Sequence, residues 1–245
     1  MADFITGLRY ALSGFSLIGR PGIRVFVLIP LLINTILFAL AIYYGTTLFN
    51  QTLQQLTHQW AWLEWLTWLL WPIFLVLMLG FIFFCFTLFA NLFASPFNGR
   101  LAASVEESLT GVKPATSSPA TGIFAEFLKG LRSEAIKMRY FLLRGLPLSI
   151  LFVVPVIQLI APLLWFIYAV WMIALEYLEI PLSNQGLLFP QVCSLAGANR
   201  MKVLGLGTGI LVLTLIPGVN LLVMPVAVSA ATKMVVRELS TSGNN

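Results

Sequence analysis

Four long apolar stretches alternate with polar segments along the chain and predict an all-helical membrane protein. The first two stretches, residues 25–49 and 65–94, contain no charged residue. A bilayer core about 30 Å thick needs about 20 apolar residues in a helix, so both are long enough to span a membrane. The other two stretches, residues 145–176 and 203–232, are interrupted near their middles.

Helix-breaking residues divide each of the last two stretches, and they are Pro155, Pro162, Pro217, Gly218 and Asn220. Roughly thirty residues are too few for two full spans of about 20 and long for one. Paired interrupted segments therefore favour two re-entrant hairpins, each a pair of half-penetrating helices. Arg200 and Lys202 lie between the stretches and also favour hairpins, because a single crossing would place both cations outside. Two kinked spans, giving four spans in total, are the alternative.

The basic residues predict the orientation of the chain. Residues 95–144 contain seven lysines and arginines, whereas residues 50–64 contain none. The positive-inside rule then places the N-terminus and residues 95–144 in the cytoplasm. Residues 95–99, Ser-Pro-Phe-Asn-Gly, are predicted to break the second spanning helix. Beyond them, apolar residues recur at helical spacing over residues 121–144 and predict a cytoplasmic amphipathic helix.

Residues 1–24 form an amphipathic lead-in that ends in a basic turn. Phe4, Leu8, Leu12 and Phe15 recur at helical spacing and predict a helix lying on the membrane surface.

The basic turn, residues 19–24, places Arg20, Gly22 and Arg24 directly before the first apolar stretch. A helix start offers unpaired N–H groups and the positive end of the helix dipole, and arginine adds a planar fork that suits oxyanions. The turn is therefore a candidate anion site. The alternative is a topology signal or a snorkelling anchor at the lipid headgroups.

Composition narrows the class of protein. Of 245 residues, 59% are hydrophobic and 9% are charged, against about 25% charged in soluble domains. We therefore expect a single integral membrane domain over residues 1–245. The net charge of +5 fits loops lying against anionic lipid and requires no nucleic acid. One histidine and two cysteines predict neither a metal site nor a disulfide framework, and no cofactor is expected.

Several local patterns carry less chemistry than they first suggest. Gly205 and Gly209 lie in an apolar helix without a preceding strand, which excludes a dinucleotide loop and favours close helix packing. The carboxylates near residues 106 and 176 lack an evident nucleophile, so no enzyme is expected. Polar residues at or near membrane depth could cap broken helices or line a water path. These candidates are Asn91, Asn98, Glu106 and Asn220.

Four motifs in one chain resemble the bacterial sulfate permease family called CysZ. They are residues 20–34 (RPGIRVFVLIPLLIN), residues 95–99 (SPFNG) with Glu106, residues 171–177, and residues 216–228 (IPGVNLLVMPVAV). The matches extend in order from about residue 7 to residue 232. The resemblance implies an inner-membrane protein that brings sulfate into the cytoplasm for cysteine biosynthesis, without an ATPase of its own. It also implies two long spanning helices, two pairs of half-penetrating helices and a homo-oligomer.

The resemblance places sulfate binding at Gly22, Ile23 and Arg24. The family often has a second arginine directly after the first, where this chain has Val25; Arg20 could supply the missing charge. Residues 100 and 103 also differ from the family pattern, so Glu106 alone carries over the acidic residues of the pore entrance. A second function stays open: a structural or regulatory membrane protein that assists another transporter or a cysteine-synthesis enzyme.

Overall fold

The computed structural model describes residues 1–59, 65–112, 123–154 and 156–239, without the side chains of residues 30, 31, 34, 83–96 and 123–133. All regular structure in these ranges is helical, as predicted. The α-helices are α1 Ala2–Ile18, α2 Arg24–Gln59, α3 Thr67–Thr110, α4 Ile123–Ile150, α5 Ala161–Asn184, α6 Phe189–Ala198, α7 Arg200–Thr214 and α8 Asn220–Met234. A 3₁₀ turn covers Ile157–Leu159, and a π-helical turn, Val235–Leu239, follows α8.

The chain forms two compact units, and the smaller one is built from α2 and α3. This unit comprises Val27–Phe97, and the larger one comprises Met1–Phe26 with Asn98–Asn245. In the smaller unit, the ring of Phe49 stacks on Phe74 with centroids 4.0 Å apart and meets Trp71 edge-on at 5.1 Å. Gly45 lies against Met78. These contacts fix the far end of α2 against the beginning of α3.

Both long helices extend past their predicted ends. α2 continues as helix through residue 59, ten residues beyond the predicted span. α3 continues through residues 95–99 to Thr110, so the break predicted there is wrong. A proline inside a helix costs about 3 kcal/mol. Burial of Leu101, Ala102 and Val105 on the following turns of α3 offsets that cost.

The two interrupted stretches each consist of a helix, a break and a second helix. The first break separates α4 from α5 and contains Val156 at φ 70°. The second separates α7 from α8 and contains Gly218 at φ 84°. Pro162 lies in the first turn of α5, where its missing N–H has no intrahelical partner to lose. The depth of either pair in a membrane stays a prediction.

Within the described residues, two helices are long and apolar enough to span a membrane: Ala161–Asn184 with 24 residues and Asn220–Leu239 with 20. Both belong to the stretches for which hairpins were predicted, so the four-span alternative stays open. The spans predicted at residues 25–49 and 65–94 each contain side chains outside the description, and they remain predictions.

The core of the larger unit lies where α1 crosses α7 and α8. The buried residues of α1 are Gly7, Ala11, Gly14 and Leu17. A β-carbon at Gly205 of α7 would collide with the backbone of Phe4. One at Gly209 would collide with the side chain of Ala11. The close packing predicted from the glycine spacing in α7 is thus confirmed. α1 packs through its small residues, which leaves Leu12 and Phe15 of the predicted apolar stripe exposed.

Candidate functional site

The arginine turn, residues 19–24, connects α1 directly to α2. α1 ends at Ile18, Gly19 caps it in a right-handed helical conformation, and α2 begins at Arg24. Gly22 has a φ of 88°, in the left-handed region that glycine enters without a steric cost. This reversal sends the chain from the end of one helix into the start of the next within five residues.

Backbone hydrogen bonds close the arginine turn on the carbonyl of Arg20. The N–H groups of Ile23 and Arg24 both donate to that oxygen, at 3.1 and 3.2 Å. The Ile23 amide, one of the predicted sulfate donors, is therefore engaged inside the turn. In the part of the chain that the structure describes, the N–H groups of Gly22 and Val25 donate to no protein acceptor. They are the free backbone donors at the start of α2.

The two arginine side chains of the turn are exposed and carry uncompensated charge. Among the described residues, no carboxylate lies within 4 Å of the guanidinium of Arg20 or Arg24. The start of α2 adds the positive end of its helix dipole to these two charges. Free amides, fixed dipole and planar forks together suit a tetrahedral oxyanion.

Ile23 points in the opposite direction from its neighbours in the turn. Its side chain is 2% exposed and packs in a cluster drawn from three helices. The other buried members of this cluster are Leu17, Leu101, Ala102, Val105 and Val228. The resemblance places Ile23 in the sulfate-binding turn and says nothing of a packing role for its side chain. Its position as the large apolar side chain of an otherwise polar turn is the signal that could have identified the packing role.

Two of the predicted polar residues of α3, Asn98 and Glu106, lie where α3 is hydrogen-bonded to the end of α5. Asn98 is 9% exposed. The next residue, Gly99, accepts a hydrogen bond from the side-chain amide of Asn184 at 2.7 Å. Glu106 accepts one from the side-chain amide of Gln185 at 3.1 Å. The second carboxylate oxygen of Glu106 is buried and has no hydrogen-bond partner among the described residues.

The other two predicted polar residues are not part of this group. Asn220 is exposed and is the first residue of α8, and its N–H donates to the carbonyl of Ile216 at 3.1 Å. The N-cap position of α8 is the preceding residue, Val219, so Asn220 does not take the capping position itself. The side chain of Asn91 lies outside the described residues. The structure thus brings Asn98 and Glu106 near the arginine turn's packing cluster through α3, and it leaves Asn220 apart.

A polar network between α1, α7 and the C-terminal π turn was not foreseen from the sequence. Lys202 pairs with Glu238 at 2.7 Å and lies 3.9 Å from Asp3. The hydroxyl of Tyr10 donates to the other oxygen of Glu238 at 2.9 Å. Burial, together with the bond to this carboxylate, raises the pKa of Tyr10 to about 12. Tyr10 therefore keeps its donor proton at neutral pH.

Comparison with known proteins gives full-length similarity. The family described as sulfate transporter CysZ/Etoposide-induced protein 2.4 matches residues 10–225. A sulfate transporter CysZ of Pseudomonas syringae pv. tomato is 40% identical over 241 residues, covering 97% of this chain and 94% of the relative. The sulfate transporter CysZ of Pectobacterium atrosepticum is 35% identical, covering 94% of this chain and 84% of the relative. The matched residues include the arginine turn and both interrupted stretches.

Proposed function

Because this chain belongs to the sulfate transporter CysZ/Etoposide-induced protein 2.4 family, we propose that it is a sulfate permease of the bacterial inner membrane. Relatives at 35–40% identity over nearly the whole chain are named for sulfate transport. Uptake of this anion supplies sulfur for cysteine biosynthesis. Transport is facilitative or channel-like under this proposal, and the sequence contains no phosphate-binding loop with which the chain itself would bind ATP.

Sulfate binds at the arginine turn. The observation that carries this assignment is the pair of exposed guanidiniums, Arg20 and Arg24, without a carboxylate partner in the described structure. The free N–H groups of Gly22 and Val25 add donors between them. A divalent anion there exchanges part of its hydration shell for charged and backbone donors. Hydrogen bonds to charged groups contribute roughly 1.5 to 3 kcal/mol each, and the planar guanidinium forks match the arrangement of the sulfate oxygens, which a spherical anion lacks.

Arg20 takes the part of the family's usual second arginine, whose position holds Val25 here. Val25 is 44% exposed, so an arginine side chain at that position would be exposed rather than buried in the core. Arg20 reaches the same mouth of α2 from the other side of Gly22. The two arginines then hold the anion across the turn rather than from consecutive residues of the helix.

The path beyond the turn is formed by the two interrupted helix pairs, α4–α5 and α7–α8. Their breaks expose backbone polar groups, which are tolerated at membrane depth only where protein or water covers them. Such breaks can therefore face a water path in a homo-oligomer that shields them from lipid. Asn98 and Glu106 stand near the cytoplasmic end of this path under the predicted orientation.

Sulfate binding and flux with Arg24 variants test the proposal. Loss of a hydrogen bond to a charged group should cost roughly 1.5 to 3 kcal/mol. Because each factor of ten in affinity corresponds to about 1.4 kcal/mol, Arg24→Ala should weaken sulfate binding about ten- to a hundredfold. Arg24→Lys should recover only part of the affinity, because an ammonium keeps the charge but loses the planar fork. Calorimetry on detergent-purified protein, with chloride as the control anion, measures the first effect. The same calorimetry measures the partial recovery in Arg24→Lys, and uptake of labelled sulfate into proteoliposomes measures the flux of each variant.

The outcomes separate a permease from the alternatives. If Arg24→Lys behaves like the parent, the turn is a snorkelling anchor, because lysine anchors as well as arginine. If the parent protein neither binds sulfate nor passes it into liposomes, the chain assists another transporter or an enzyme instead. Val25→Arg restores the family's consecutive pair and should tighten binding; no gain would indicate that Arg20 already supplies the second charge.

A further inference from the structure

Ile23 is the buried member of an otherwise exposed turn. Arg20, Pro21, Gly22 and Arg24 all face solvent, whereas the Ile23 side chain is 2% exposed. The buried, apolar side chain of Ile23 adds no charge to the turn and does not bind an anion itself. It contributes apolar burial, and the direction of that burial decides how the turn is held.

The surface beneath Ile23 is assembled from three helices. Leu101, Ala102 and Val105 present one face of α3, Val228 comes from α8, and Leu17 from α1. Each of these side chains is at most 2% exposed. Ile23 therefore contacts a surface of densely packed side chains that has little freedom to move.

The α3 part of this surface is itself tied to α5 by two hydrogen bonds. The Asn184 amide binds the carbonyl of Gly99 at 2.7 Å, just before the packed turns of α3. The Gln185 amide binds the carboxylate of Glu106 at 3.1 Å, just after them. These ties bracket Leu101 and Val105 on both sides, so the surface that receives Ile23 is fixed along its length.

Ile23 also lies inside the hydrogen-bonded ring of the turn. Its own N–H and that of Arg24 share the carbonyl of Arg20 as acceptor. Fixing the side chain of Ile23 thus fixes both arginine backbones relative to each other and to the start of α2. Without that anchor, the left-handed glycine next to it would leave the turn free to take other conformations.

We propose that Ile23 is a positioning residue for sulfate: its buried side chain holds Arg20 and Arg24 at the spacing that the anion needs. This inference rests on the proposed function. The effect is preorganisation, in which the protein orders the arginine turn on folding, so that binding does not have to order it. Ile23 acts through the turn and makes no direct contact with the anion by its side chain.

Hydrogen exchange and calorimetry on three variants test the inference. Ile23→Ala removes the anchor, and Ile23→Val keeps most of it. Ile210→Ala is the matched control, because Ile210 is 1% exposed and packs in the other core cluster, which does not include Ile23. All measurements use the full chain in detergent. Amide exchange is followed over residues 19–26, and sulfate affinity is measured on the same samples.

Ile23→Ala should speed amide exchange in residues 19–26 at least tenfold and weaken sulfate binding about tenfold. Ile23→Val should return both quantities to within about threefold of the parent. Ile210→Ala should lower the thermal midpoint to a similar degree as Ile23→Ala, yet leave sulfate affinity and exchange over residues 19–26 within about twofold. That pattern distinguishes positioning from a general loss of stability.

Two results would overturn the inference. Unchanged exchange over residues 19–26 in Ile23→Ala would show that the turn is held by other contacts, whether or not the protein binds sulfate. Equal loss of sulfate affinity in Ile23→Ala and Ile210→Ala would show that core damage anywhere weakens the site. A parent protein that binds no sulfate defeats the proposed function instead.

Discussion

The side-chain amide of Asn184, the last residue of α5, donates a 2.7 Å hydrogen bond to the carbonyl of Gly99 on α3. This bond joins the two helices at the point where the proline-containing motif was predicted to end α3. A β-carbon at position 99 would lie 3.4 Å from the Asn184 side-chain oxygen, an ordinary van der Waals distance, so the approach of the two helices does not depend on glycine. The bond therefore stabilises α3 beside the proline-containing motif, where the helix propensity of its sequence is lowest.

Removing this bond should destabilise the larger unit modestly. A hydrogen bond between uncharged groups contributes about 0.5 to 1.5 kcal/mol net, and Asn184→Ala should lower the unfolding free energy by about that amount. Thermal unfolding of the purified protein measures it. Ser183→Ala serves as the control, because among the described residues the exposed Ser183 hydroxyl bonds only the local carbonyl of Ile180. An equal loss in both variants would show that the Asn184 bond contributes nothing specific.

The crossing of α1 and α7 should tolerate no side chain at Gly205. A β-carbon there would collide with the carbonyl of Phe4, and overpacking of this kind costs about 1 to 3 kcal/mol. Gly205→Ala should therefore lower the thermal midpoint and loosen α1. Gly197→Ala is the matched control, since that helical glycine of α6 has no atom within 4 Å of its β-carbon position. If both variants unfold alike, the crossing is not as close as described.

Stability at alkaline pH should depend on Tyr10. The pKa of this hydroxyl rises from 10.0 to about 12 in the folded protein, chiefly through burial and then through its bond to Glu238. Between these values the folded state holds a proton that the unfolded state has released, so stability is lost as pH rises.

Tyr10→Phe should flatten that loss between pH 10 and 12, because phenylalanine has no proton to release. Equilibrium unfolding of parent and variant across this range provides the measurement. The parent should be the more stable at neutral pH, where the hydroxyl still donates to Glu238. Parallel curves for the two proteins would contradict the folded-state pKa of Tyr10.

The side of the membrane on which Ser183 lies distinguishes hairpins from four plain spans. Ser183 is exposed near the end of α5 and so can be labelled. The hairpin arrangement places it in the cytoplasm, and the four-span alternative places it outside. In a background without Cys85 and Cys193, Ser183→Cys should resist an impermeant thiol reagent added to intact spheroplasts. It should react after lysis, which controls for accessibility. Labelling of intact spheroplasts would favour plain spans, for which the 24-residue length of α5 is sufficient.

Helix content was predictable from the sequence because apolar runs and their breakers are local signals. The breaks near Val156 and Gly218 coincide with proline- or glycine-containing segments of the two interrupted stretches. The predicted break at residues 95–99 failed for the same reason. Local propensity counts the cost of Pro96, whereas burial of Leu101 and Val105 on the other helices of the unit is a tertiary gain that a local pattern does not register.

The charged residues of the candidate site were predictable from the sequence, whereas the contacts that hold them in place were not. Arg20, Gly22 and Arg24 are visible in the sequence because anion chemistry needs those residue types before a helix. The amide of Ile23 could not be assigned in advance, since its engagement by the Arg20 carbonyl depends on how tightly the turn closes. The network around Lys202 was equally hidden, because its partners Asp3 and Glu238 lie far from it along the chain and meet it only through folding, as does Tyr10, which bonds Glu238.

The conformation of Gly22 also determines which sequences this turn can accept. No atom lies within 4 Å of the position where a β-carbon would stand, so a side chain would meet no neighbour. Yet its φ of 88° belongs to the mirror-image half of backbone space, which costs L-residues roughly 1 to 2 kcal/mol. A mutational scan should therefore find position 22 intolerant although it is spatially vacant, with asparagine the least harmful replacement. The L-configuration of amino acids, rather than steric crowding by neighbouring residues, restricts variation at position 22.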